Sequence, residues 1–315
     1  MLKLKLAMRL VVFLGVLACD SVARSQTTDR ELMLDEPTWD EPEWLDFTDD
    51  QEQPVERFKK GFFQQLQFKG GYLGSGDSDD LAIGYAEALV AVGVPLGSFE
   101  NILGVAPKFR VDFLDGPSDL ELPSQLYTTG VNLLWRKQLN ERWGLMAIAT
   151  PAVRSDFEAT ENTVRVFALG LASWQWIPGR LELSFGAVYL DRNDIPLLPA
   201  LGLKARPTPA WLIDVMFPRP RVAYRFLKDG PRSELWGYFG GAIGGNTWAV
   251  LQDGVNDELT IRDYRLLLGA EVIADGGSGG FIEIGLALGR ELEYEVLDEK
   301  YDFGNAFLIN AGISY

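Results

Sequence analysis

This sequence predicts an all-β fold: a single antiparallel up-and-down transmembrane β-barrel of about fourteen strands, preceded by a signal peptide and a disordered acidic segment. Three observations predict it. Apolar and polar residues alternate with a period of two along most of residues 59–315, because successive side chains on a strand point to opposite faces. The alternation often runs for ten residues or more, which suits tilted strands that cross a bilayer in about 9–11 residues. The chain also finishes on the pattern. In AFLINAGISY (306–315), Phe307, Ile309, Ala311, Ile313 and Tyr315 alternate with Ala306, Leu308, Asn310, Gly312 and Ser314. A bilayer core leaves no backbone group unpaired, so strands of this kind close into a ring.

The N-terminus reads as an address. Lys3, Lys5 and Arg9 precede the short apolar run LVVFLGVLA (10–18), and Ala23-Arg24-Ser25 supplies a small-x-small site. That is the pattern of a secretory signal peptide, with a core too short to span a membrane. Residues 1–25 are assigned to it, with cleavage after Ser25 and, as second choice, after Ala23. Val16-Leu17-Ala18-Cys19 makes a poorer lipoprotein box, because leucine stands where a small residue is usual. Removing Lys3, Lys5, Arg9, Arg24 and Asp20 leaves 25 basic and 44 acidic residues, a net charge of −19.

Residues 26–58 read as a disordered acidic tether. Between 27 and 57 there are twelve acidic side chains against Arg30 and Arg57, and Pro37, Pro42 and Pro54 interrupt any helix. Inside it stands a doubled pentad, DEPTW then DEPEW (35–44). Solubilisation is its simplest role. Trp39, Trp44 and Phe47 keep open docking on a periplasmic partner, or entry into the pore as a plug.

Residues 59–315 supply the barrel. Strands are expected at 61–73, 81–94, 101–113, 125–138, 143–154, 163–176, 180–190, 197–205, 210–217, 221–227, 233–249, 259–273, 280–296 and 305–315. The third shows the pattern well: Leu103, Val105, Phe109, Val111 and Phe113 face one way, Lys108, Arg110 and Asp112 the other. In the seventh, Leu181, Leu183, Phe185, Ala187 and Tyr189 alternate with Glu182, Ser184 and Gly186; in the thirteenth, Ile282, Ile284 and Leu286 alternate with Glu283, Gly285 and Ala287. The stretches 84–94 and 166–176 are apolar on both faces, a sign of bulges or interior packing. Tyr127, Trp135, Trp143, Tyr189, Trp211, Phe217, Tyr224 and Trp248 lie near strand ends, as interfacial girdles do. Long polar connections after strands 1, 3, 5, 7, 11 and 13 face short ones after 4, 6, 8 and 10, the expected asymmetry of outer loops and periplasmic turns. Pro218-Arg219-Pro220 is too short for an outer loop, and merging strands there gives the alternative of twelve. A helical span is excluded over most of the chain. The longest uncharged run, Leu235 to Gln252, carries five glycines with Asn246 and Thr247.

The segments VAPKFRVDFLDGP (105–117), LPSQLYTTGVNLLW (122–135), ATPAV (149–153) and DIPLLPALGLKARPTPAWLIDVMFPRPRVAYRF (194–226) resemble an uncharacterised family of bacterial outer-membrane β-barrel domains, a domain of unknown function. The resemblance rests on proline and aromatic spacings and contains no catalytic motif. It implies fold and location, the bacterial outer membrane, and transfers no functional residue.

Composition narrows the function. The net charge of −16 excludes a nucleic-acid partner, which needs a basic face. There is no histidine and one cysteine, Cys19, so the commonest general base, thiolate metal clusters and intrachain disulfides are all missing. No enzyme, cofactor or metal site is expected. An outer-membrane hydrolase is disfavoured by the lack of histidine. Asp156 with Glu158, and GSGDSDD (74–80) as a calcium loop, read better as solvated surface. The charges expected to line the lumen are Lys108, Arg110, Asp112, Arg136, Arg154, Glu182, Lys204, Arg206, Asp214 and Arg225. They suggest a diffusion pore or channel for small solutes, anions preferred, unless they are salt-bridged filler in a closed barrel. The alternative is a non-transporting scaffold whose tether holds a periplasmic partner. Phe307, Ile313 and Tyr315 resemble the C-terminal signal read by barrel-assembly machinery, and are expected to face outer-membrane lipid.

Overall fold

The computed structural model describes residues 55–59, 61–76, 80–117, 120–191, 197–216, 219–252 and 254–315. The signal peptide and residues 26–54 of the acidic tether lie outside the described residues, as does Phe217. The strands are β1 (Phe63–Leu73), β2 (Ala82–Ser98), β3 (Asn101–Asp115), β4 (Gln125–Gln138), β5 (Trp143–Ser155), β6 (Val164–Ile177), β7 (Leu181–Tyr189), β8 (Leu197–Ala205), β9 (Trp211–Met216), β10 (Arg221–Asp229), β11 (Ser233–Gln252), β12 (Val255–Ala274), β13 (Gly279–Tyr294), β14 (Glu299–Phe303) and β15 (Ala306–Ser314). Consecutive strands pair antiparallel from β1 to β13, β13 pairs β15, and β15 pairs β1. The hydrogen bonds therefore close a ring of 14 strands, with β14 a short flap on β13 outside it. β9 and β10 are separate strands paired from Arg221↔Asp214 to Tyr224↔Trp211, which removes the twelve-strand alternative.

Two connections differ from expectation. Residues 250–258 form no long loop: β11 and β12 run on to a tight hairpin in register from Ser233↔Ala274 to Gln252↔Val255. Between the paired ends the sequence reads Asp-Gly, a strong two-residue hairpin signal, and Gly254 has φ +77. A polar flank had hidden it. Likewise, the connection after β13 folds back on itself as β14.

The register sorts side chains by chemistry. Outward positions of the ring include Leu66, Phe68 and Tyr72 on β1, Phe109, Val111 and Phe113 on β3, Phe239 and Ile243 on β11, Leu266 and Leu268 on β12, and Phe307, Ile309 and Ile313 on β15. Phe307 is 79% exposed and Leu268 57%. Along these stripes, from residue 264 round to Tyr315 and from Leu66 to residue 243, the outward positions of the paired ring carry charge only at strand ends, at Asp115, Lys137 and Asp229. Aromatics collect at both ends. Trp143 stacks on Trp174 with centroids 6.1 Å apart, Trp174 on Trp176 at 5.9 Å, and Trp211 meets Tyr224 at 5.0 Å, all at the short-turn end. Tyr127 and Phe157 meet at 4.6 Å at the long-loop end. Trp248 is no girdle residue: it is 3% exposed and packs inside.

The inward side is packed in layers. At the long-loop end, Leu81, Leu114, Leu126, Trp248, Val250, Leu259, Ile261, Leu292 and Tyr294 form one apolar cluster drawn from β3, β4, β11, β12, β13 and the start of β2. A second cluster on β5–β9 gathers Leu171, Val188 and Ala200 with Met146, Phe167, Leu169, Leu190 and Met216. It explains why 166–176 is apolar on both faces.

Candidate functional site

The inward face is organised in cross-strand rows. One row runs Lys69↔Glu87↔Arg110↔Thr128↔Arg154 across β1 to β5. The next runs Gln67↔Leu89↔Lys108↔Gly130↔Ala152↔Arg165 across β1 to β6. Nearer the other end, Gln175↔Glu182↔Lys204↔Asp214↔Arg221 crosses β6 to β10. Charges alternate in sign from Lys69 to Arg110 in the first row and from Glu182 to Arg221 in the third, where directly opposed unlike charges stabilise the sheet; the second row carries only Lys108 and Arg165.

Most carboxylates here are bound. Arg110 Nε donates to Asp112 Oδ2 at 2.8 Å, its Nη2 also reaches Asp112, and its guanidinium lies 3.9 Å from the Tyr85 ring centroid. Asp112 is 1% exposed, so it needs this fork: an unpaired buried charge costs several kcal/mol, on the order of 3–5. Glu87 takes Lys69 at 2.8 Å. Tyr238 O–H donates to Glu283 at 2.8 Å, Asn310 Nδ2 donates to its other oxygen at 3.2 Å, and Tyr85 O–H donates to Asn310 at 3.1 Å. Asp80 accepts from Arg290 at 3.2 Å and from Gly76 N–H at 2.8 Å. The expected solvated turn at 74–80 is therefore anchored to β13, at least at Asp80.

At the short-turn end Glu234 is a hub. It accepts from Lys228 at 2.9 Å, Arg225 at 3.2 Å and the Trp236 indole at 2.8 Å, with Arg57 at 3.7 Å. Arg57 belongs to the last described residues of the acidic stretch. Gly277 N–H also donates to Glu56 O at 3.2 Å, and Val55 is 6% exposed, so 55–57 are held at this mouth.

The long-loop mouth is stoppered by the distal part of the β11–β12 hairpin. Trp248 Nε1 donates to Thr128 Oγ1 at 3.2 Å, from β11 across to β4. Ala249 pairs with Ser155 in a parallel bridge, and Arg165 meets Glu258 at 2.5 Å. Asp156 accepts from Leu251 N–H at 2.9 Å and from Glu158 N–H and Ala159 N–H at 2.8 and 2.9 Å. Asp156 is thus no solvated partner of Glu158; it ties the hairpin to the β5–β6 connection. Gly245 makes the bend possible. Its φ is +88, and a Cβ there would sit 1.9 Å from Ile261 O.

Of the expected lumen charges, Lys108, Arg110, Asp112, Arg154, Glu182, Lys204, Asp214 and Arg225 stand on this inward register face. Arg136 shares this face at the exposed short-turn end of β4, and Arg206 follows β8 directly, its N–H donating to Arg180 O at 2.8 Å. The structure does not bring the ten into one constellation; they fall into a long-loop group and a short-turn group. Glu87, Arg165, Glu234 and Glu258 belong to the same face and were missed. Glu87 and Arg165 had a readable signal: each is a single charge in an otherwise apolar strand.

Among the described residues no group of His, Cys, Asp and Glu could hold a metal, and no helix is long and apolar enough to cross a membrane. Residues 115–241 match the domain of unknown function DUF6268. No curated protein matches the chain. Among solved structures, the siderophore receptor PirA from Pseudomonas aeruginosa is similar with a TM-score of 0.30 and 11% identity, over 80% of this chain. This chain spans 63% of that receptor's length.

Proposed function

We propose that the chain is an outer-membrane β-barrel that admits small solutes, anions preferred, through its charged interior. The observation that carries this reading is the sorting of side chains by face: the outward stripes of a closed ring hold no charge between their strand ends, while the inward rows hold many. Water would not enforce that rule. Lipid would, because a Lys or Arg on the lipid face costs about 2–4 kcal/mol at the bilayer midplane. The two aromatic girdles support the same placement. A second reading, a non-transporting scaffold whose acidic tether holds a periplasmic partner, is favoured by the stopper at the long-loop mouth.

Conductance separates the two. The natural chain, refolded in planar bilayers, is compared with a chain in which Asn246 joins Ile261 through an Asp-Gly turn, which deletes the stopper. The pore reading expects the shortened chain to conduct more and its reversal potential in a salt gradient to favour anions. Replacing Lys108, Arg110 and Arg206 with Gln should then reduce that preference. Silence from both chains, with intact barrels on a gel, leaves the scaffold.

A further inference from the structure

Two basic side chains of the inward rows lack what their neighbours have. Glu87 is held by Lys69 at 2.8 Å and lies 3.9 Å from Arg110; Asp112 is held by Arg110, and Glu258 by Arg165. Among the described residues Lys108 and Arg154 make no ion pair. Asp191 is the one carboxylate whose field reaches Arg154, and its oxygens already accept from Val166 N–H at 2.7 Å and Tyr189 O–H at 3.2 Å. The Nε atoms of Arg154 and Arg165 are buried and make no hydrogen bond to protein. Arg165 itself is 8% exposed.

These groups share one stretch of the inward face. Lys108 and Arg154 stand in adjacent rows on alternate strands, about 12 Å apart along the sheet backbone, and both side chains are long enough to reach toward one shared small anion. Between them lie Gly130, Ala152 and Thr128, which offer no bulk to fill the gap. Trp248 bonds Thr128, in the same row as Arg154.

This basic stretch continues along the barrel into an apolar stripe. From Arg165, the inward positions of β6 continue as Phe167, Leu169 and Leu171, and those of β5 beyond Ala152 include Ile148 and Met146. Arg165 to Leu171 spans about 20 Å of strand. A small inorganic anion would use the basic end and leave this wall without a partner.

We infer that the interior holds a binding site for an organic monoanion with an apolar tail: Lys108 and Arg154 take the head, and the wall of Phe167, Leu169 and Met146 takes the tail. This rests on the reading of the inward face as a solute compartment. It goes further in naming the solute class, because each methylene buried against such a wall strengthens binding by about fourfold.

The test uses the full mature chain refolded in nanodiscs, titrated with octanoate, octanol or acetate and followed by calorimetry and tryptophan fluorescence. Saturable binding of one octanoate per chain is expected, at least about 30-fold tighter than acetate, with octanol giving only non-saturating partition. The double variant Lys108→Gln, Arg154→Gln should lose at least about tenfold in octanoate affinity while keeping its gel mobility and melting point, since neither side chain is paired. Leu169→Asn should weaken octanoate and leave acetate unchanged. Equal octanoate binding by natural and double-variant chains overturns the head site; equal affinity for octanoate and acetate overturns the tail wall. A chain that conducts but binds no octanoate overturns the site and leaves the pore. A chain that binds octanoate but never conducts does the reverse.

Discussion

The indole N–H of Trp248 on β11 donates to the hydroxyl of Thr128 on β4 at 3.2 Å, joining opposite parts of the ring across its long-loop mouth. Trp248 is 3% exposed and packs among Leu126, Val250 and Leu259. The hairpin is closed by packing, with one polar bond to fix its position.

Trp248→Ala should therefore release the hairpin without opening the barrel. Emptying a buried tryptophan site costs about 3–5 kcal/mol, charged here to docking of residues 246–261. Hydrogen exchange in that segment should accelerate strongly while exchange in β1–β4 stays unchanged. Thr128→Val removes only the bond, worth about 1 kcal/mol, and should accelerate it far less. A global loss of protection in Trp248→Ala would show that the stopper is part of the barrel's own core.

Arg110 and Lys108 sit two residues apart on one face and should behave oppositely. Arg110→Gln strands Asp112, which is 1% exposed, and should destabilise the barrel by about 3–5 kcal/mol. Lys108→Gln strands nothing and should shift the melting curve by less than about 0.5 kcal/mol. Matched melts of the two single variants decide it; equal losses would mean that Lys108 has a carboxylate partner.

Glu234 should be the most sensitive acidic residue at the short-turn end. Glu234→Gln discards the charge that holds Lys228 and Arg225 together, at 7% and 10% side-chain exposure. A loss of about 3–5 kcal/mol in denaturant unfolding is expected, with the larger change in the unfolding rate if β10–β11 closes late. Arg57→Gln, whose 3.7 Å contact is half exposed, should cost less than about 1 kcal/mol.

At the seam, Tyr315 and Leu66 exchange both backbone hydrogen bonds at 2.8 Å, and Lys59 Nζ stands 4.0 Å from the Tyr315 ring centroid. Deleting Tyr315 or changing it to Asp should slow assembly and leave a gel species that boiling no longer shifts. Ser314→Ala gives up one 3.4 Å bond to Gly277 O and should assemble normally. Equal tolerance of both changes would remove the last residue from the seam.

The ring was legible because its signal is repeated. Each strand carries its own period of two, and Lys108, Arg110 and Asp112 fall on one face by alternation alone. The hairpin was not legible for a related reason: beyond Gly245 the chain no longer separates an outward from an inward face. Ala249, Val250, Asp257 and Glu258 are all buried in the stopper, and charge stopped being a guide to direction. The ion pairs were hidden too. Sequence placed Arg225 inside but could not show that Glu234, across a hairpin bulge, would gather it with Lys228.

The pairing of β1 with β15 also has a meaning in time. A ribosome makes β1 first among the ring strands and β15 last, so the edge of β1 must wait for the whole ring to be synthesised. Until then a row of unmatched amide and carbonyl groups, from Gln67 to Leu73, is open to any other strand. Every intermediate with fewer strands has two such edges, and in the bilayer proposed above neither would find a polar partner. Insertion strand by strand into the bilayer would carry that penalty at each step. On the proposed membrane placement, closure of the ring waits for β15, and a chain truncated before Phe307 is expected to leave the edge of β1 open.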